Sequence, residues 1–513
     1  MLQLCTAALL LVAISGGAFA LSPHTTLEIV SKDIAPDGLL RHTTLVNGVF
    51  PGPVITAIKG QEFAINVIDK LTETSLDLAT SIHWHGIFQH HTNYVDGTAF
   101  VTQCPLVPNE SFLYKFSALS QSGTYWYHSH FMNQYCDGLR GPMIIYDPED
   151  PQKYLYDCDD ADTVITIADW YHYLSTEAPV LPVYNSTLIN GKGRYHGGPS
   201  NVSLAVVNVE QGKRYRFRLV SISCDAGFQF TIDGHEMTVI EVEGTNVQPL
   251  LVDGIFLFAG QRYSVVVTAN QPVANYWVRA LPAIAVGVST FDNFTNVAVL
   301  HYAGPPMQIH RRTLRSTFQP LTPSPVPGLP FPGGADININ LNFQINANRT
   351  AFLVNGIVFE PPTVPVLLQI LSGAKNASQL LPAGTIYGLQ PNKSVELTVP
   401  GGAGGGPHPV HLHGHPFYVV RSAGNSTYNY DNPIVRDVVT MGNQGDEVTL
   451  RFFTDNPGPW FFHCHIDWHL TAGFAVVFAE DVPDVPQQDY VNNAWDQLCP
   501  TYTAFLNATG GHT

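Results

Sequence analysis

In the segment FFHCHIDWHL, residues 461–470, Cys464 stands between His463 and His465, and His469 follows five residues after the thiol. A cysteine flanked by imidazoles is either a metal ligand or an activated nucleophile, because the thiolate is the reactive form in both roles. The nucleophile reading lacks an accompanying catalytic acid and oxyanion-hole signature. In an extended segment the side chains at i and i+2 share a face, and the one between them points the other way. His463 and His465 can therefore serve one site while Cys464 serves another, across a single strand.

Three more H-x-H pairs occur: His83/His85 in SIHWHG, His128/His130 in GTYWYHSH and His411/His413 in HPVHLHGH. One such pair is commonplace, but four at matching positions of two distant regions point to a shared metal site. Eight imidazoles exceed the needs of one ion and suit a cluster of about three. Joining His408 and His469 to Cys464 gives two imidazoles and a thiolate, which with a weak or empty axial position is the ligand set of a blue copper electron-transfer centre. Zinc is disfavoured, since it has no redox chemistry and a structural site needs only four ligands. The sulfur site and the cluster are then joined by one residue of backbone on either side of Cys464.

The elements that must position these residues are strands. Phe63, Ile65 and Val67 alternate with polar or small neighbours in QEFAINVID, and Tyr215, Phe217 and Leu219 do so in RYRFRLV. With 43 Gly and 38 Pro punctuating short runs, the chain reads as all-β sandwiches, and helical periodicity is scarce. An internal repeat supports this. GTYWYHSH (123–130), ANYWVRAL (274–281) and GPWFFHCH (458–465) align, and SIHWHG, FTIDGH (230–235) and HPVHLHGH align as a second set. Three copies of one domain account for both, over roughly residues 21–150, 151–320 and 321–513, after a leader at 1–20. The middle copy carries Thr231/Asp233 and Arg279/Leu281 where the others carry histidines, so it reads as a spacer or a wall. The Pro-rich stretch 318–334 reads as an interdomain linker.

Composition sets the surroundings. The chain has 513 residues and a formal charge of −17 with only 24 Lys and Arg, which excludes nucleic acid and anionic membranes as partners and suits neutral or cationic small molecules. Residues 1–20 hold an apolar run closed by Ala18-Phe19-Ala20 and read as a signal peptide. No later segment has the ~20 apolar residues of a membrane span. Asn-x-Ser/Thr sequons at Asn109, Asn185, Asn201, Asn293, Asn348, Asn376, Asn392, Asn425 and Asn507 fit a secreted glycoprotein. Cys5 leaves with the leader. If Cys464 binds metal, Cys104, Cys136, Cys158, Cys224 and Cys499 leave one thiol over in an oxidising compartment.

With HWHG, HSH, HPVHLHGH and HCHIDWHL in that order, and with NGVFPGPVI, QYCDGLRGP, TLINGKGR, PPTVPVLLQI and DNPGPWFFHCHID between or around them, the sequence resembles the multicopper oxidases, most closely the fungal laccases of basidiomycete type. The resemblance implies three cupredoxin-like Greek-key β-sandwich domains and four copper ions. It also implies a monomer that oxidises phenols and aromatic amines by single electrons and reduces dioxygen to water. Carried over by position, His408, Cys464 and His469 are the type 1 copper ligands, with Phe474 at the non-ligating axial position. His83 and His411 are the type 2 ligands. His85, His128, His130, His413, His463 and His465 are those of the type 3 pair. His415 falls outside the set, with a turn or supporting role. The axial Phe474 implies a high potential, while Met132 and Thr471 depart from the surroundings of many high-potential relatives. Asp225 matches a carboxylate that accepts the phenolic proton, with His469 as electron entry. Asp96 matches an acid assisting protons at the cluster, and Asp467 is assigned to orienting backbone. Disulfides Cys104–Cys499 and Cys136–Cys224 are implied, which leaves Cys158 as a buried, unreactive thiol. Pocket walls near Leu181, Val183 and residues 283–294 diverge from the commoner aromatic pattern. The competing readings are a ferroxidase or ascorbate oxidase, which differ in anchor and axial residue, and a copper-binding protein without turnover, which would have lost cluster histidines.

Overall fold

The computed structural model describes residues 20–284, 295–303, 318–404, 406–511 and 513, so nearly all of the expected leader and most of the 283–294 wall lie outside the described residues. Three sheets share one plan. The first runs in the order Ile55–Ile58, Arg140–Tyr146, Gly123–Ser129, Ile82–His85. The second runs Val206–Val209, Val297–Tyr302, Asn275–Ile284, Gly227–Ile232 and the third Ile386–Leu389, Ala475–Glu480, Gly458–Cys464, Pro409–Leu412, each with one more edge strand. In all three the first pair is parallel and the rest antiparallel. Each of these sheets has a partner sheet of four, seven or five strands, built around a parallel pair followed by an antiparallel one. The chain is thus three β-sandwich units of cupredoxin type. Alternation explains the strands locally: in Glu62–Lys70 the side chains of Phe63, Ile65 and Val67 are fully buried while their neighbours are partly exposed.

The repeat read from the sequence holds in register. His83 pairs across strands with His128 in the first unit, His411 with His463 in the last, and Thr231 with Arg279 in the middle one. Where the terminal units present imidazoles, the middle unit has an ion pair: the Arg279 guanidinium donates to both Asp233 oxygens at 2.6 and 2.8 Å. A fixed charge pair has filled the place of a ligand nest.

Two features were not legible in advance. A 17-residue helix, Asn493–Thr509, closes the chain. The Asn492 side chain caps it by accepting from the Trp495 N–H at 3.0 Å, and Gly510, at φ 67°, ends it in the left-handed conformation. It docks on the first unit through the Cys104–Cys499 disulfide and the Trp495 indole, which donates to the Thr102 carbonyl at 3.0 Å. Because that bridge spans 395 positions, Cys499→Ser is expected to cost about 2–5 kcal/mol of stability, seen as a lower melting temperature with the blue absorbance unchanged. The stretch 318–334 is strapped down at both ends. Pro320 bridges to Val247, and the buried Arg451 guanidinium donates to the carbonyls of Pro327, Leu329 and Phe331 at 2.7–2.8 Å.

Candidate metal centre

The H-x-H strands of the first and last units face each other, and none of their eight histidines is more than 9% exposed. Six of the eight have an outward nitrogen committed to a hydrogen bond. Nδ1–H donates to the Asp96 carbonyl from His83 (2.9 Å), to the Ser129 carbonyl from His128 (2.8 Å) and to the Asp437 carbonyl from His411 (2.8 Å). It donates to Asp96 Oδ2 from His413 (2.8 Å) and to the Cys464 carbonyl from His463 (2.7 Å). His85 is turned round: its Nε2–H faces Asp437 Oδ1 at 3.1 Å, leaving Nδ1 inward. Each bond fixes a tautomer that leaves the inward nitrogen as a bare lone pair.

Two of those lone pairs, His413 Nε2 and His463 Nε2, meet at 3.0 Å with no proton between them, and His85 Nδ1 lies 3.2 Å from His465 Nε2. The inward Nε2 atoms of His83, His128, His130 and His411 are buried without a partner. An unpaired buried polar group costs about 1–3 kcal/mol, and facing acceptors repel besides. Cations at the centre resolve both, so the donor set fits metal. Burial first, and then repulsion among neighbouring imidazoles, holds His85, His128, His130, His411 and His413 far below the usual histidine range. His463 is pushed down to about 3. They are neutral, as ligation requires. Overlapping triads whose donor atoms lie within 4.8 Å of one another, His83/His411/His413, His83/His85/His128 and His130/His413/His463, call for more than one ion.

The opposite face of Gly458–Cys464 carries the second site. Cys464 Sγ lies 3.8 Å from His408 Nδ1 and 3.7 Å from His469 Nδ1, and those two nitrogens are 3.1 Å apart. His408 gives its Nε2–H to the Ala403 carbonyl at 2.5 Å, so Nδ1 is its free pair. Burial drives the thiol upward, so the thiolate forms here only against a bound cation. Phe474 is fully buried, with its ring centre 5.2 Å from that of His408, and offers no donor atom. Phe352, which the sequence did not single out, packs 4.6 Å from the His469 ring and 4.7 Å from Phe474. Phe474→Met, a change of similar volume, is expected to cost less than about 1.5 kcal/mol of stability and to lower the potential of this centre, read by redox titration of its visible band.

His469 and Asp225 are both partly exposed, Asp225 on a separate loop. The Cys136–Cys224 disulfide and a bond from the Asp467 N–H to the Cys224 carbonyl (3.0 Å) pin that loop to the turn bearing His469. Asp169, unremarked in the sequence, shapes it: its carboxylate accepts the N–H groups of Cys224, Asp225 and Ala226 at 2.7, 2.7 and 3.2 Å. Burial, with the Asp169 charge added, raises the Asp225 carboxyl to about 7. The Asp467 carboxylate takes the Asn133 amide at 3.2 Å, while its own N–H makes the backbone tie to Cys224. His415 lies outside the cluster, with Nε2 3.0 Å from Glu480 Oε2. Leu181 and Met132 are exposed, at 57% and 51%, and Thr471 bonds back to its own turn. Cys158 is buried outside both bridges.

Asp96 touches two histidines directly: besides His413, its Oδ1 lies 3.3 Å from His83 Nδ1. Asp437 does the same for His85 and His411 and was missed by sequence reasoning. Its signal was a charge inside the apolar run IVRDVV, which burial makes costly unless paired.

Profiles of the multicopper oxidase family match residues 28–150, 161–305 and 359–484. The chain is 54% identical to a laccase of Phlebia radiata over 97% of both chains, and 54% identical to laccase-2 of Trametes versicolor over 95% of this chain and 96% of that one. Among solved structures, a laccase from Botrytis aclada superposes with TM-score 0.81 at 30% identity, covering 95% of this chain and 93% of that one. A multicopper oxidase that functions in iron import superposes with TM-score 0.81 at 26% identity, over 94% and 95%. With profile matches in all three units and two sets of converging donors that need cations, this chain belongs to the multicopper oxidase family, and its cofactor is copper.

Proposed function

We propose that the chain is a secreted laccase, oxidising phenols and aromatic amines one electron at a time and passing four electrons to dioxygen, which leaves as water. The observation that carries this is Cys464, whose side chain joins one donor set while the imidazoles on either side of it join the other. His408, Cys464 and His469 would hold the type 1 copper, His83 and His411 the type 2, and His85, His128, His130, His413, His463 and His465 the type 3 pair. Copper supplies one-electron acceptance at the first site and multi-electron oxygen chemistry at the second. The protein's own part is positional and protic. The His469 edge meets the donor at the surface, Asp225 takes the proton that a phenol sheds with its electron, and Asp96 fixes His83 and His413 while placing a carboxylate where oxygen reduction consumes protons.

The division at about residues 150 and 320, and a monomer free of membrane, belong to the same reading. Among the described residues no helix is long and apolar enough to cross a membrane. The test is oxygen uptake by copper-loaded protein supplied in turn with a methoxyphenol, ferrous iron and ascorbate. A clear preference for the phenol, with about four molecules oxidised per dioxygen consumed, supports a laccase; preference for iron or ascorbate, or no uptake at all, overturns it.

A further inference from the structure

The two carboxylates that touch the cluster histidines are held differently. Asp96, from the first unit, is steadied by a neighbour on its own loop, Thr98, whose hydroxyl donates to Oδ2 at 2.8 Å. Asp437, from the last unit, is held by the middle one. The Arg262 guanidinium donates to both of its oxygens at 2.6 Å, and the Glu243 carboxylate accepts its backbone N–H at 2.9 Å, the next N–H at 2.9 Å, and the Arg436 guanidinium. Asp437 then passes this fixation on, through Oδ1 to His85 and through its carbonyl to His411.

The close approach is built into the backbone. Gly86, next to His85, has φ 90°, and a Cβ there would lie 2.7 Å from Arg262 Nη2 and 3.0 Å from Asp437 Oδ2. Gly260, two residues before Arg262, has φ 82°, and a Cβ there would lie 2.9 Å from the His465 ring. Arg262 is fully buried and also donates to the Gly260 and Thr124 carbonyls at 3.0 Å. A bidentate, buried guanidinium–carboxylate pair is a rigid fixture, unlike a surface pair.

We propose that Arg262 and Glu243 are positioning residues for the oxygen-reducing cluster, so that the middle unit, which contributes no ligand, sets the geometry of His85 and His411 by clamping Asp437. This rests on the assignment of those two histidines as copper ligands. Because ligand-orienting neighbours commonly govern metal affinity by about 10–100-fold, loosening the clamp should weaken copper at His411 while sparing the site at Cys464.

The test uses the full copper-loaded chain with Arg262→Met, Arg262→Lys, Glu243→Gln and, as a control at another ion pair of the middle unit, Asp233→Asn. Three readouts are taken: visible absorbance, copper per chain and the type 2 electron paramagnetic resonance signal. Expected for Arg262→Met is wild-type blue absorbance with a shifted type 2 hyperfine splitting, or loss of about one copper per chain, Arg262→Lys restoring much of the signal and Asp233→Asn matching wild type. Glu243→Gln keeps the arginine and should shift the same signal more weakly, so it carries the test if Arg262→Met fails to fold. Blue, fully loaded Arg262→Met or Glu243→Gln protein with an unchanged type 2 signal overturns the proposal. A wild-type chain with no type 2 signal would instead overturn the ligand assignment beneath it.

Discussion

Cys464→Ser should abolish the blue absorbance and reduce phenol oxidation to background while the imidazole nest keeps its metal. Cys464 supplies the sulfur of the three-donor site, and a serine hydroxyl does not ionise in a fully buried strand position. The eight histidines on the other side keep every hydrogen bond that fixes their tautomers, including the one from His463 Nδ1–H to the backbone carbonyl of residue 464, which a side-chain change does not touch. Copper analysis should therefore give about three ions per chain with a surviving type 2 resonance, against about four in the wild type. Persistence of the blue band in the serine variant would remove the sulfur site from the mechanism.

Asp225→Asn should lower kcat/KM for phenols by about 100-fold, the lower end of what a well-placed general base contributes, and leave unchanged a donor that loses an electron without a proton. The pH dependence gives the sign. The folded carboxyl is raised to about 7 by burial and the nearby Asp169 charge, so it becomes able to accept a proton only as the pH rises through that value. The ratio of wild-type activity on a phenol to that of the Asp225→Asn variant should grow from about 1 well below pH 7 to its full value above it. Stability moves the opposite way. Between the ordinary aspartate range and about 7 the folded chain holds a proton that the unfolded chain has lost, so stability falls as pH rises through that window. Asp225→Asn should flatten that slope in thermal melts taken across the same range. A ratio independent of both pH and donor would remove Asp225 from proton transfer.

The convergence of the two donor sets was legible because strand geometry is periodic. Once His463 and His465 are on one face, Cys464 is on the other, and repetition of the pattern in two regions distinguishes a centre from a surface histidine. The same repeat located Asp233 and Arg279 at vacated positions, though not their pairing, since the two lie 46 residues apart and meet only across the sheet. What escaped notice is everything that acts through long-range packing. Arg262 in QRYSVVV reads as the start of a strand, and Glu243 as a residue of a tight turn; their shared target, Asp437, lies more than 170 positions further on. Asp169 reads as a strand residue, yet it organises a loop 55 positions away. The closing helix escaped because Cys499-Pro500 interrupts a pattern already short of apolar periodicity, and a disulfide with docking contacts supplies what propensity does not.

His85 and His465, whose inward nitrogens face each other at 3.2 Å, are 380 positions apart in the chain. A ribosome must therefore release almost the entire polypeptide before the complete oxygen-reducing chamber exists, although the first unit by itself already brings His83, His85 and His128 together. The full complement of donors is thereby gathered only when the last unit folds against the first.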